Sequence, residues 1–503
     1  MQKPLKERNA PLKLFSSKPL LPTGPAAAAP EREAQPSPRR ETAKRPEPEV
    51  DPNPESAPDA APAPLPGFAP EADRPAAHDA VHTADDDAPP KRRRRRRKKK
   101  KRSIFQRLAR LIVVLAILFG MYLTAVFSDI PFIVKWRTAY IETAMATLNH
   151  KWLATAFIPQ SVIDEVMDRL EASRQEQVGK NSQWTRPVTT PRVEVVHRNS
   201  TLTDTTGMSD EEIAFFDDFW EVDVPSMLEY VRQYPSVLRN GWARININEA
   251  GLDDSGTTIQ TVMGEQVLAI NAEERILIVR ESGTGYRGLL VVAKDPARLS
   301  LQASATIGTE GQRAGEIAAA HNGIIGMTGS GFYDEGGVGN GGSIAGYCMC
   351  DGKEYGYHMG SGWKRLELHK DDLFYVRDAG DPVSPDVTDA VEFSPAMIID
   401  GEVLIDGSGW GWTDLQPRAC IGQSQYGEII MLLIEGRRPG ISIGLGVPEC
   451  AQLMAQHECV QAMNLDGGTS AMIWYDGEYI MESSNPVMTK GRLLPNAFVY
   501  ARK

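Results

Sequence analysis

Seventeen consecutive uncharged residues, Leu111 to Phe127 (LIVVLAILFGMYLTAVF), stand close behind twelve consecutive cations, Lys91 to Arg102 (KRRRRRRKKKKR), with Arg107 and Arg110 the only charges between. At about 1.5 Å rise per residue the run extends roughly 25 Å, and Leu108 and Ala109 lengthen it toward the ~30 Å hydrocarbon core of a bilayer. Asp129 closes it. Cations packed on one side only place the N-terminus in the cytoplasm and the C-terminal body outside. Each cation near anionic lipid heads adds about 1 kcal/mol of attraction. Taken alone, the cation block would also suit a nuclear-localisation or nucleic-acid patch. The apolar run would also suit a buried core helix or a cleaved signal peptide. No apolar-periodic partner surrounds it, however, and a 110-residue polar leader is far too long for a signal n-region. The expectation is a single-pass cell-membrane anchor.

Composition changes at the same place. Residues 1–102 hold 20 of the 35 prolines and 18 alanines, but only two aromatics, Phe15 and Phe68. Such a stretch buries too little apolar area to offset a backbone entropy of roughly 1–2 kcal/mol per residue, so a disordered cytoplasmic tail is expected. Its 23 Lys+Arg exceed its 15 Asp+Glu, whereas the remainder holds 32 against 51. A body of net charge −19 repels duplex nucleic acid and anionic lipid, so neither is expected as a partner of the body itself.

After the span at residues 103–128, residues 129–178 read as a helical stalk, with Ser161 offering a cap. Residues 179–259 read as a linker with a short helical region, in which Ser209-Asp-Glu-Glu212 forms a capping-box start. From about residue 260 short apolar runs follow one another: QVLAIN (266–271), RILIVR (275–280), GLLVVA (288–293) and LSLQA (299–303). One helix, Gly311–His321, interrupts them, and Pro448 marks the first turn of another, with His457 as a packed edge. Three Asp-Gly pairs, at 351–352, 400–401 and 476–477, sit between alternating segments and signal hairpins. The expected fold is α+β, a strand-rich mixed-sheet domain over residues 260–503 with flanking helices. The five cysteines, an odd number, make no disulfide scaffold and no zinc-like spacing, so buried thiols are expected; a Cys450–Cys459 bridge stays open.

Three segments are too glycine-rich and polar for packing alone. Gly329–Gly342 has seven glycines in 14 residues, a loop whose backbone can approach a ligand. It lacks the Lys-Ser/Thr of a phosphate-binding P-loop. Asn464-Leu-Asp-Gly-Gly-Thr-Ser470 follows the apolar run Val460–Met463, so Asn464 and Asp466 share one side of a strand end. Arg418, Arg437 and Arg492 stand beside turns, where in an acidic body their planar forks suit phosphate or carboxylate.

These motifs resemble the phosphodiester glycosidase family. They stand as Gly329-Ser-Gly-Phe332, Asp334, Gly339-Asn-Gly-Gly342, Pro417-Arg418, Ile421-Gly422, Glu435-Gly-Arg437, Asn464–Ser470 and Gly491-Arg492 to Asn496-Ala497. The resemblance covers residues 260–503, and the anchored layout is similar to that of Gram-positive members connected with exopolysaccharide biosynthesis. Thr328 stands where the family usually has Asn, and Glu435 where Asp is common.

The resemblance implies a hydrolase of N-acetylglucosamine-1-phosphodiester-like substrates in surface polysaccharide or wall polymer metabolism. Glycosidases ordinarily pair a carboxylic acid with a second carboxylate. A phosphate monoester, with a second pKa near 6, leaves without such help, so one carboxylate and arginines suffice. Asp466, with Glu435 second, and Arg418 are the expected catalytic residues. Ser330, Phe332, Asp334, Asn340, Gly341, Arg437, Asn464, Gly467, Gly468, Ser470, Arg492 and Asn496 are the expected substrate-binding residues. No cofactor is required; calcium stays open because Asp334, Glu335 and Asp466 are hard oxygen donors. A non-catalytic module binding wall or capsule polymer on the same fold is the alternative.

Overall fold

The computed structural model describes residues 104–147, 150–183, 198–253, 255–334, 338–407 and 411–503. The expected tail with its basic run, part of the linker, and Glu335 lie outside the described residues. Eight α-helices are described: α1 (Ile104–Phe127), α2 (Pro131–Ala146), α3 (Trp152–Thr155), α4 (Gln160–Gln175), α5 (Asp210–Asp218), α6 (Val224–Gln233), α7 (Ala314–Ala320) and α8 (Val447–Gln456). The strands, in chain order, are β1 (Asn246–Asn248), β2 (Val267–Asn271), β3 (Ile276–Gly283), β4 (Tyr286–Ala293), β5 (Leu299–Ala303), β6 (Gly323–Thr328), β7 (Tyr347–Cys350), β8 (Lys353–Gly356), β9 (Lys364–His369), β10 (Phe374–Asp378), β11 (Val387–Phe393), β12 (Ala396–Ile399), β13 (Glu402–Val403), β14 (Arg418–Ser424), β15 (Ile429–Ile434), β16 (Cys459–Asn464), β17 (Ile473–Tyr475), β18 (Glu478–Tyr479) and β19 (Asn496–Ala501).

They form three antiparallel sheets in an α+β fold. The largest has the order β1-β2-β3-β4-β15-β14-β16-β12-β13, and two five-stranded sheets have the orders β10-β9-β11-β7-β8 and β18-β17-β6-β19-β5. The apolar runs of the sequence are continuous because the large sheet buries both faces. Ile276 and Ile278 of β3, with Ile429, Met431 and Leu433 of β15, face a core shared with the smaller sheets. Leu277 and Val279, with Ile430, Leu432 and Ile434, face a second core beneath α5, α6 and α8. Alternation along one strand thus feeds two cores.

All three Asp-Gly pairs make the expected two-residue hairpins, joining β7 to β8, β12 to β13 and β17 to β18. Both residues of each pair have positive φ, such as 49° at Asp351 and 73° at Gly352, as a type I′ turn demands. The Ser209 capping box forms, and all five cysteines are buried free thiols, so Cys450 and Cys459 are not bridged. His457 is buried, its Nε2 lying 2.9 Å from a Glu265 oxygen and 3.2 Å from one of Glu281.

Three expectations change. Helix α4 starts at Gln160 with Pro159 at its cap position, so Ser161 lies inside the first turn and caps nothing. Residues 198–259 are more than a linker: Phe215, Phe216, Phe219 and Met227 bury against the large sheet, whose edge strand β1 they precede. The stalk, too, is docked. The Gln177 amide of the segment after α4 exchanges hydrogen bonds with the Ala396 backbone in both directions, and Glu142 of α2 accepts from the Thr413 N–H at 2.6 Å and its hydroxyl at 2.8 Å. Among the described residues, α1 alone is long and apolar enough to cross a membrane, and only Val126 of it is buried.

Candidate active site

The glycine-rich and arginine motifs, spread over about 170 residues, meet because the strands that carry them end together. Antiparallel pairing sets Cys420 of β14 opposite Asn464 of β16, so Arg418 at the start of one strand lies beside the Asn464–Ser470 turn that ends the other. β15 pairs Ile434 with Arg418, which brings Glu435–Arg437 to the same rim. In the neighbouring sheet Thr328 ends β6 opposite Ala497 of β19, so the Ser330–Asp334 loop and Arg492 arrive together.

Between these strand ends lies an open cavity of about 810 Å³. Phe332, Asp334, Arg418, Arg437, Asn464, Asp466, Gly467, Gly468, Ser470 and Arg492 of the expected set line it. Asp466 is its distinctive carboxylate. Burial raises its pKa to about 6, against a hydrogen bond from Ser470 and the positive charges of Arg492 and Arg437, which lower it. The turn that presents it needs its glycines. A Cβ on Gly467 would stand 2.6 Å from the Pro417 carbonyl oxygen, and Gly468 sits at φ +62° under the Arg437 guanidinium.

The three arginines differ in what they already hold. Arg418 donates to the Leu445 carbonyl and, at 2.8 Å, to Asp414. Arg492 makes a fork–fork pair with Asp334 at 2.7 and 2.9 Å, donates to the Gly339 carbonyl, and lies 4.9 Å over the Phe332 ring. It therefore fastens the glycine loop, and Asp334 spends both oxygens on it instead of offering them to a metal ion. Arg437 hydrogen-bonds the Gln416 amide oxygen at 2.6 Å and makes no ion pair among the described residues. Burial and the neighbouring Arg418 push its pKa down. A guanidinium on the cavity wall without a carboxylate partner is the natural place for a substrate anion. A second unmet demand is Asn464 Oδ1, which is buried with no partner while its amide donates to the Ser394 carbonyl.

Several expected residues stand outside the cavity. Glu435 does not line it: its carboxylate, 5% exposed, is held by Arg287 at 3.0 Å and Arg438 at 2.5 Å. That carboxylate is committed to two cations, and a catalytic role for it is corrected on that ground. Asn496 is fully buried beneath the loop, donating to the Ser330 hydroxyl and accepting from the Ser330 N–H. Asn340 bonds the Thr309 carbonyl and the Gly342 N–H, and Gly341, at φ +71°, would bring a Cβ to 2.2 Å from the Leu493 carbonyl oxygen. Ser330, Asn340, Gly341 and Asn496 thus shape the loop and do not face the cavity. Conversely, Asp414, Gln416, Phe393 and, from the stalk, Thr147 and His150 line it unannounced by any motif. They come from separate segments whose only shared property is where the fold puts them.

A desolvated carboxylate and a guanidinium without a carboxylate partner thus line one cavity. Residues 321–501 match the family model described as phosphodiester glycosidase. That match supports a hydrolase-like function. No curated protein matches the chain. Among solved structures, it is similar to the catalytic domain of zebrafish N-acetylglucosamine-1-phosphodiester α-N-acetylglucosaminidase, auto-inhibited by its pro-peptide, at 16% identity and a TM-score of 0.37, covering 45% of this chain and 82% of that one. It is also similar to an exported protein of Burkholderia pseudomallei, at 14% identity and TM-score 0.34, covering 43% and 74%. A third likeness, to a Synechocystis protein, has 14% identity and TM-score 0.34, covering 48% and 65%.

Proposed function

We propose that the chain is a membrane-anchored, extracytoplasmic hydrolase that cleaves a sugar-1-phosphodiester at the anomeric carbon, within surface-glycan or wall-polymer metabolism. The observation that carries this reading is the pairing, in one cavity, of Asp466 at a pKa of about 6 with Arg437, which holds no carboxylate. At neutral pH Asp466 is ionised yet basic enough to take a proton. It would draw a proton from water as the water oxygen bonds to C1. The C1–O bond breaks, its electron pair leaves with the phosphate monoester, and the products are the free sugar and that monoester. Arg437 would neutralise the departing phosphate where its charge is greatest, which is where a fixed donor lowers a barrier most. Asn464 Oδ1 would accept from a sugar hydroxyl. One carboxylate suffices because the leaving group needs no acid.

The span α1, with the basic run ahead of it, would place the body outside the cytoplasm and hold it against the lipid surface. The test is release of free sugar from a water-soluble methyl diester of N-acetylglucosamine-1-phosphate by the purified full chain. Release by the unaltered protein and its loss in Asp466→Asn are expected. Polymer binding without release would favour the non-catalytic reading.

A further inference from the structure

A phosphodiester has two substituents, and with the phosphate at Arg437 and the sugar at Asp466 the second must leave the catalytic cavity in another direction. The structure provides one. A second cavity, about 330 Å³, shares Thr147, His150, Gln416 and Arg437 with the catalytic one and continues between Tyr140, Ala144, Leu153 and Leu415. A third, about 620 Å³, shares Tyr140 with the second and runs along Phe132, Trp136 and Phe157 to Tyr122 and Ala125 of α1 itself. The three cavities lie in succession, each sharing wall residues with the next, charged at the Arg437 end and, apart from Arg137, lined by apolar and aromatic side chains from Tyr140 to the candidate membrane span.

The path is built, not incidental. Arg137 donates to the Val126 and Ser128 carbonyls and so fixes the corner between α1 and α2. The Tyr122 hydroxyl donates to the Phe157 carbonyl, and the Tyr140 hydroxyl to the Leu153 carbonyl, both at 2.8 Å, which holds the 152–158 segment as the opposite wall. Phe132 and Trp136 remain 72% and 52% exposed along it. A soluble aglycone would have no use for such a lining.

We infer that the substrate's second substituent is a membrane lipid chain, so that the protein acts on a lipid-linked sugar phosphodiester, drawing the phosphate up from the bilayer along α2 and returning a lipid monophosphate. The inference rests on the sugar-1-phosphodiester reading and on α1 spanning the membrane. Helix α2, 16 residues, is roughly 24 Å long. An apolar tail lifted that far needs cover from water, which the aromatic walls supply.

The test uses the full chain in phosphatidylcholine–phosphatidylglycerol vesicles with two substrates, a hexadecyl and a methyl diester of the same sugar-1-phosphate. Phe132→Glu with Trp136→Glu alters two exposed positions that do not touch the catalytic cavity. It should lower kcat/KM on the hexadecyl diester at least tenfold and leave the methyl diester within about twofold. An equal loss on both, or none on either, would overturn the inference and leave these aromatics as a membrane-interface belt. A photoreactive hexadecyl phosphate supplies an arm independent of turnover. It should label residues 122–158 of the unaltered chain and not of the double variant; absence of that labelling overturns the lipid path even if the methyl diester is cleaved. Labelling without cleavage of either diester would uphold the lipid path and refute the catalytic reading.

Discussion

Two strands of the large sheet, β15 and β16 on either side of β14, each run out into a carboxylate, and the two carboxylates have opposite fates. At the end of β15, Glu435 is buried between Arg287 and Arg438. Beyond the end of β16, Asp466 is half-buried in a turn where hydrogen bonding and positive charges only partly offset desolvation, and its pKa rises to about 6. Both lie in glycine-bearing motifs, and both face arginine-rich surroundings. What separates them is pairing: a carboxylate with two cations within 3.0 Å is a structural ion, whereas one held by a hydroxyl and more distant charges keeps a reactive lone pair.

That contrast predicts different failures. Asp466→Asn keeps the side-chain volume and removes the base, and should lower kcat about a thousandfold, some 4 kcal/mol, with an unchanged melting temperature. In the unaltered protein the rate should fall tenfold per pH unit below about 6, because only ionised Asp466 accepts the proton. A rate indifferent to pH between 4 and 7 would erase the distinction from Glu435. Glu435→Gln should do the reverse. It leaves two arginines facing an uncharged amide, so unfolding free energy should drop by about 3 kcal/mol, measured by denaturant titration, while the folded fraction keeps near-normal kcat.

Arg437 sharpens the comparison from the cation side. Arg437→Lys retains charge but loses the fork, and should cost about tenfold in kcat on a phosphodiester. It should cost far less on an aryl glycoside, which has no phosphate to hold. Arg492→Lys should instead loosen the glycine loop that it fastens through Asp334, with an equal penalty on both substrates.

The motifs and the hairpins were legible in the sequence because each is a local solution. Asp-Gly at positive φ, an apolar run with both faces buried, and Asn-x-Asp-Gly-Gly after a core strand all announce themselves within a few residues. The role of Glu435 was not legible, since Arg287 lies 148 residues away and is brought to it only by the β4–β15 pairing. The stalk was read as helical but not as docked, because its link to the body is a handful of polar contacts. Glu142 reaching Thr413 across 271 residues is one, and no periodicity encodes it.

The smallest expected effect lies at that contact. Burial raises the Glu142 pKa from 4.5 to about 7, opposed by the Thr413 hydrogen bonds. The folded state therefore binds this proton more tightly than the unfolded chain. Its stabilisation is complete below about pH 4.5 and is lost as pH rises through 7. Glu142→Gln mimics the protonated form, so it should flatten that decline and leave stability at low pH nearly unchanged, as read from melting temperatures between pH 4.5 and 8.

The most direct measurement is the fate of solvent oxygen. The full chain, incubated with a methyl diester of N-acetylglucosamine-1-phosphate in water enriched in oxygen-18, should release sugar labelled at its anomeric hydroxyl and an unlabelled methyl phosphate, because Asp466 directs water to carbon. Label in the phosphate would place the attack at phosphorus, make the protein a phosphodiesterase, and contradict the roles assigned here to Asp466 and Arg437.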